Sequence, residues 1–217
     1  YLRSEQESQA METFEKIIKL KPDNAALHYQ LGQLKLRLKD NAGALVNLRK
    51  AAELDPSSSV ARIGIATALL QDGKQGEARQ IAAQLQKDLP KSTAGLVLEG
   101  DIFAVDGKWS DAAGSYRKAM AQDRQGPIVA KLHNALSKAG KDGEAQQVAA
   151  DWLRASPQDP VLRLYLAEFE LGRRNWKESV AQYNAALSLQ PNNVVAMNNA
   201  AWAMHQMKDP GALKLAE

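Results

Sequence analysis

Cysteine is absent from the chain. That excludes disulfides, thiolate metal sites and cysteine nucleophiles, and it suits a reducing cytoplasm and an oxidising bacterial periplasm equally. Aromatic residues are scarce, at 6%. No run of 18 or more apolar residues occurs, so no segment reads as a membrane-spanning helix. The opening YLRSEQESQAMETF is polar and lacks the apolar core of a signal peptide. Charge of one sign is lacking too: 28 basic and 25 acidic residues are interleaved to a net +3, which excludes a broad phosphate-binding surface. What remains is a chain of 217 residues, 45% apolar and 24% charged, rich in alanine, leucine and glutamine. Such side chains lose little rotamer freedom in a helix, and the balance is that of a folded chain.

The prolines act as a ruler. Pro22, Pro56, Pro90, Pro157 and Pro191 are separated by 34, 34, 67 and 34 residues, the long gap being two units less one residue. Each follows an alanine- and leucine-rich stretch, and proline stops a helix because it lacks the N–H and crowds the preceding turn. A second marker falls midway: Gly73-Lys74, Gly107-Lys108 and Gly140-Lys141, with Lys39-Asp40 and Arg174-Asn175 in the corresponding places. Glycine just past a helix end accepts the left-handed backbone that closes it, so these are turns between paired helices. Five residues on comes a small residue, Ala44, Ala78, Ala112, Ala145 or Ser179, where two helices are expected to cross closely. Seven further lies Ala51, Leu85, Ala119, Trp152 or Ala186.

This pattern resembles the tetratricopeptide (TPR) repeat. Unit 25–58 carries Leu31-Gly32, Ala44, Leu48, Ala51 and Pro56. Unit 93–126 carries Gly100, Phe103, Trp109, Ala112, Tyr116 and Ala119, with Arg124 where proline is expected. Unit 160–193 carries Leu166, Trp176, Tyr183, Ala186 and Pro191. Units 59–92 and 127–159 fill the register, the latter one residue short and with His133 in place of the glycine. The resemblance implies an all-α fold, a right-handed TPR superhelix of antiparallel helix pairs forming one solenoid over 1–217. Residues 1–24 would be a second helix without its partner, and 194–217 a first helix with the start of the next. The chain is therefore expected to be a section of a longer protein, with uncapped ends open to self-association.

Chemistry-bearing residues are dispersed. His28, His133 and His205 form no metal-binding pair, the glycine-lysine turns lack phosphate-loop spacing, and the carboxylates fall on solvent faces. Ser57, Ser58 and Ser59 fall in a loop, and Ser92 and Ser110 at helix starts, where hydroxyls cap backbone N–H groups. Trp109 and Trp176 share a packing position, Trp152 occupies a normally small site, and Trp202 falls on the inner side of a first helix. No catalytic residue, cofactor site or metal site is expected.

The TPR resemblance implies a concave groove lined by the first helices. By register its candidates are Tyr29, Gln33 and Arg37; Ile63 and Thr67; Val97 and Asp101; Asn134 and Lys138; Glu168; and Asn198, Trp202 and His205. Such a surface suits a peptide or protein partner, with apolar sites for side chains and amides for backbone. The lysine and asparagine set with which some TPR proteins clamp a C-terminal carboxylate is missing, since the matching places read Tyr29 and Gln33, Ile63 and Thr67, Val97 and Asp101.

The C-terminal stretch is more individual. Asn198, Asn199, Ala201, Trp202, Asp209, Pro210, Ala212, Leu213, Ala216 and Glu217 resemble a segment of the TPR lipoproteins of the PEP-CTERM/exosortase sorting system of Gram-negative bacteria, with Ala200 in place of a leucine. That resemblance implies a scaffold in the periplasm or cell envelope, linked to protein sorting and exopolysaccharide export, with a lipid anchor upstream of Tyr1 and no membrane contact from this segment. The competing expectations are a recruiting or regulatory arm of a larger enzyme such as a glycosyltransferase, and a helical-repeat RNA-binding protein. The near-neutral charge and aliphatic groove argue against nucleic acid. A peptide of residues 25–58 alone is expected to show no cooperative thermal transition by circular dichroism, because one helix pair buries too little apolar surface.

Overall fold

The computed structural model describes residues 2–209 together with 211 and 212. Among them are twelve α-helices and no strand. None of the described helices is long and apolar enough to cross a membrane. The chain divides into two compact units, 1–122 and 123–217.

The first unit holds α1 (Leu2–Leu20), α2 (Ala25–Arg37), α3 (Asn41–Leu54), α4 (Ser59–Gln71), α5 (Gln75–Asp88), α6 (Ala94–Val105) and α7 (Trp109–Gln122). Each packs on the helix before it, and α4 also touches α2 and α6. The second unit holds α8 (Gly126–Lys138), α9 (Asp142–Ala155), α10 (Pro160–Gly172), α11 (Trp176–Leu187) and α12 (Val194–Gln206). There α8 packs on α9 and α10, α10 on α11, and α11 on α12. Helices α1, α3, α5 and α9 stop two residues before Pro22, Pro56, Pro90 and Pro157, and α11 stops four before Pro191. Helix α7 stops at Gln122 with no proline behind it, so proline sharpens these ends without being required for them.

The turn inside each helix pair repeats one backbone device. Gly73, Gly107 and Gly140 have φ of 72°, 71° and 76°, and Lys39, Arg174 and Lys208 adopt the same left-handed state at 62°, 62° and 59°. The residue after each returns its N–H to a carbonyl five back: Asp40 to Lys35, Lys74 to Leu69, Lys108 to Phe103, Lys141 to Leu136, Asn175 to Glu170 and Asp209 to Met204. This is the Schellman closure, which satisfies carbonyls the ending helix would leave bare. At the opposite ends, side chains cap the first helices. Asn24, Ser58 and Asn193 accept from the N–H of Leu27, Ala61 and Ala196, and Asp159 accepts from Val161 and Leu162. Ser92 accepts from Ala94 N. Ser110, by contrast, lies inside the first turn of α7 and caps nothing, because the helix already begins at Trp109.

The crossing residues Ala44, Ala78, Ala112, Ala145 and Ser179 are all fully buried. Ser179 satisfies its hydroxyl by donating to Ala167 O at 2.9 Å. A second crossing pair is set by volume. A Cβ on Gly32 would stand 2.6 Å from Leu48 Cγ, and one on Gly100 would stand 2.4 Å from Tyr116 Cε1. The register continues as Ala66 with Ala82, His133 with Ala149, and Ala167 with Tyr183, all of them buried. In four of these five pairs a large side chain on one helix stands opposite a small one on the other, Ala66 and Ala82 both being small, and only His133 and Ala149 place the large one on the first helix.

Gly100→Ala is expected to lower stability by about 1–3 kcal/mol in chemical denaturation, the usual cost of overpacking. Lys39→Gly and Arg174→Gly are expected to leave stability unchanged or raise it by up to about 1 kcal/mol, because relief of the left-handed state outweighs the added freedom of the unfolded chain.

Candidate interaction surfaces

All thirteen positions assigned to the groove are half-buried or exposed, while their helical neighbours Leu31, Leu34, Ala66, Ala68, Leu98 and Ile102 form core. The first unit uses much of its set internally. Tyr29 and Ile63 pack on the core cluster around Leu48 and Leu69. The Thr67 hydroxyl donates to Ile63 O at 2.9 Å, the local back-bond that serine and threonine make inside helices. Asp101 accepts from the Tyr116 hydroxyl at 2.6 Å. Burial, reinforced by that carboxylate, pushes the Tyr116 hydroxyl well above the usual phenol range, so it stays a donor. Gln33, Arg37 and Val97 are left to face outward.

The second unit keeps its set unengaged. Asn134, Lys138, Glu168, Asn198 and His205 make no side-chain hydrogen bond or ion pair among the described residues. Trp202 is half-exposed and meets Trp176 edge-on, with ring centroids 5.2 Å apart at 86°. Trp176 therefore supports the exposed indole as well as packing its own pair. Of the C-terminal string, Pro210, Leu213, Ala216 and Glu217 lie outside the described residues.

The histidines take different roles. His28 is held between Asn47 Oδ1 at 3.3 Å and Pro22 O at 2.8 Å, a structural role in a loop-to-helix junction. His205 is exposed. His133 is buried at 3% exposure, its Nδ1 2.8 Å from the Tyr165 hydroxyl. It stands edge-on to Phe169 at 4.7 Å and to Tyr165 at 5.4 Å. Arg173 lies over the far Phe169 ring at 5.4 Å and pairs with Asp142 at 3.1 Å. Burial depresses the His133 pKa to about 4, so its ring is neutral at pH 7.

Trp152, also outside the pattern of small residues, shapes the same region. Its Nε1 donates to Asp159 Oδ2 at 2.6 Å, and Arg124 lies over its ring at 5.7 Å. Asp159 thereby caps α10 with one oxygen and holds the indole with the other. Whereas α3, α5 and α11 pack closely on the helix that follows, α9 does not pack closely on α10. The indole at the normally small site reaches the start of α10 through Asp159. Beside it lies a cleft of about 420 Å³ with His133, Ala149 and Leu166 as its buried floor. Glu170 and Glu178 line it together, eight residues apart across the turn that Asn175 anchors through Nδ2 to Glu170 Oε2. Glu178 is exposed and Glu170 half-buried, so of the two only Glu178 lies fully on a solvent face. Antiparallel crossing folds the end of α10 and the start of α11 onto one wall.

Comparison with known proteins agrees with this geometry. Tetratricopeptide-repeat family models match residues 35–96 and 1–24. A curated relative, anaphase-promoting complex subunit 7 of Arabidopsis thaliana, is 26% identical over 209 residues, covering 94% of this chain and 37% of that protein. The structure of yeast Tom70 superposes with a TM-score of 0.70 at 18% identity, over 95% of this chain and 46% of that one. A thermophilic TPR protein of Thermus thermophilus gives 0.65 at 20% identity, over 84% of this chain and all of that one. The fold is accordingly the all-α tetratricopeptide-repeat solenoid, and the matched segments are TPR repeats. The chain spans 37% of the length of the curated relative and 46% of the Tom70 chain.

The depressed His133 pKa has a direct consequence. Folded His133 titrates near 4 and an unfolded histidine near 6.5, so stability is full above about pH 6.5 and declines as pH falls toward 4, where the unfolded chain alone takes up the proton. Urea denaturation at pH 7 and pH 4.5 is expected to show a smaller loss in His133→Gln than in the wild type.

Proposed function

We propose that this chain is a non-catalytic scaffold that binds a peptide or protein segment along the outward positions of its first helices. The observation that carries this is the unengaged set in the second unit. Amides at Asn134 and Asn198 have no hydrogen-bond partner among the described residues, and a half-exposed Trp202 stands one turn from Asn198, braced by Trp176. Braced aromatics supply contact area at little entropic cost, and free amides match the backbone of an extended segment. The Tom70 and anaphase-promoting-complex likenesses support a TPR scaffold in general.

A role in the bacterial cell envelope, in protein sorting or exopolysaccharide export, is the finer form of this proposal. Its support is the run Asn198, Asn199, Ala201, Trp202 and Asp209, which follows the PEP-CTERM-associated pattern apart from Ala200. Membrane fractionation of the natural full-length protein with fatty-acid labelling tests it. Recovery in the cytoplasm without lipid would overturn the envelope reading and leave the scaffold reading standing.

The scaffold reading is tested by affinity capture with the full-length protein. Asn134→Ala and Trp202→Ala are expected to weaken capture of the same partner about tenfold or more, about 1.4 kcal/mol each. Capture of identical partners with unchanged affinity by both variants would show that the surface lies elsewhere.

A further inference from the structure

The cleft between α9 and the α10–α11 pair is separate from the groove positions, and its lining has one sign. Its charged side chains are Glu170 and Glu178, with no lysine or arginine among the lining residues. Arg173, which follows the lining residue Glu170 by three positions, is paired with Asp142. Ala149, Leu153 and Leu166 provide apolar walls.

One buried polar atom lacks a partner there: Gln182 donates through Nε2 to Glu178 Oε1 at 2.8 Å, but its Oε1 is buried without a hydrogen bond. His133, buried and polar, bonds through Nδ1 to Tyr165. Buried carbonyl oxygens without donors are rare in folded proteins, and here a donor brought by a ligand would satisfy one. The neutral His133 ring adds no positive charge to oppose it.

We infer that this cleft takes up the cationic side chain, arginine or lysine, of a partner polypeptide. The methylene stem lies against Ala149, Leu153 and Leu166, and the charged head reaches Glu170, Glu178 and Gln182 Oε1. A volume of about 420 Å³ leaves room for the side chain and part of its flanking backbone. The carboxylates are fixed in place by Asn175 and Gln182, so little order is lost on binding. This site does not depend on the groove reading, because none of its lining residues belongs to that set.

The test titrates the 217-residue chain with the capped tripeptide acetyl-Ala-Arg-Ala-amide at low salt, following the side-chain amide NMR signals of Gln182 and Asn175. Saturable shifts are expected, weakened at least about fivefold by Glu178→Gln or Glu170→Gln, and abolished by Ala150→Leu, which fills the exposed rim. Trp202→Ala is expected to change nothing here, which separates this site from the groove. Equal binding of the Leu or Glu tripeptide, indifference to both glutamate variants, or binding no tighter than that of guanidinium ion would overturn the assignment.

Discussion

Everything in this fold depends on how closely two helices of a pair can cross. The crossing alanines and Ser179 admit no exposed surface, and Gly32 and Gly100 admit no further atom. Close backbone approach allows one helix to bury a Leu48 or Tyr116 against its neighbour instead of against solvent. With so few aromatic residues, the chain builds its interior from alanine contacts repeated at fixed spacing. Each such contact is weak by itself, and the array gains stability from the regularity with which neighbours supply the next one.

Where that regularity breaks, the structure acquires its individual features. His133 stands in a place otherwise held by glycine or alanine, and Trp152 in a place otherwise held by alanine or leucine. Both lie in the second unit. The first ties α8 to α10 through Tyr165 and Phe169, and the second reaches the cap of α10 through Asp159. Where α9 stands off from α10, His133 forms part of the floor of the cleft beside them. The groove positions depend on the register alone and carry over to every repeat. A cleft of about 380 Å³ stands at the equivalent place in the first unit, lined by Arg49, Ile65, Leu69, Glu77 and Ile81; what distinguishes the second-unit cleft is its lining of His133, Glu170 and Gln182.

The sequence made the repeat legible because proline, glycine and small residues act locally. A left-handed turn at Lys39 or Arg174 was readable by its distance from Gly73 and Gly107, despite the wrong residue type for it. The positions implied by the TPR resemblance are all half-buried or exposed, but Tyr29 and Ile63 also pack on the core. Engagement was not readable. Asp101 meets Tyr116, Thr67 turns back on Ile63, and Glu170 joins Glu178 through rotamers and a crossing geometry that spacing does not encode. Ser110 failed as a cap because α7 begins at Trp109, two residues earlier than a cap at Ser110 requires.

The inverted volume at His133 and Ala149 also constrains how this repeat can change over time. Replacing His133 with glycine leaves a void opposite a small residue and frees the Tyr165 hydroxyl. Enlarging Ala149 first drives a side chain into the imidazole. Either order of single steps is expected to pass through a less stable intermediate, so the two positions are coupled in any such change. A repeat of this type is thus easier to keep or to lose whole, by duplication or deletion of its 33 residues, than to convert into the ordinary kind.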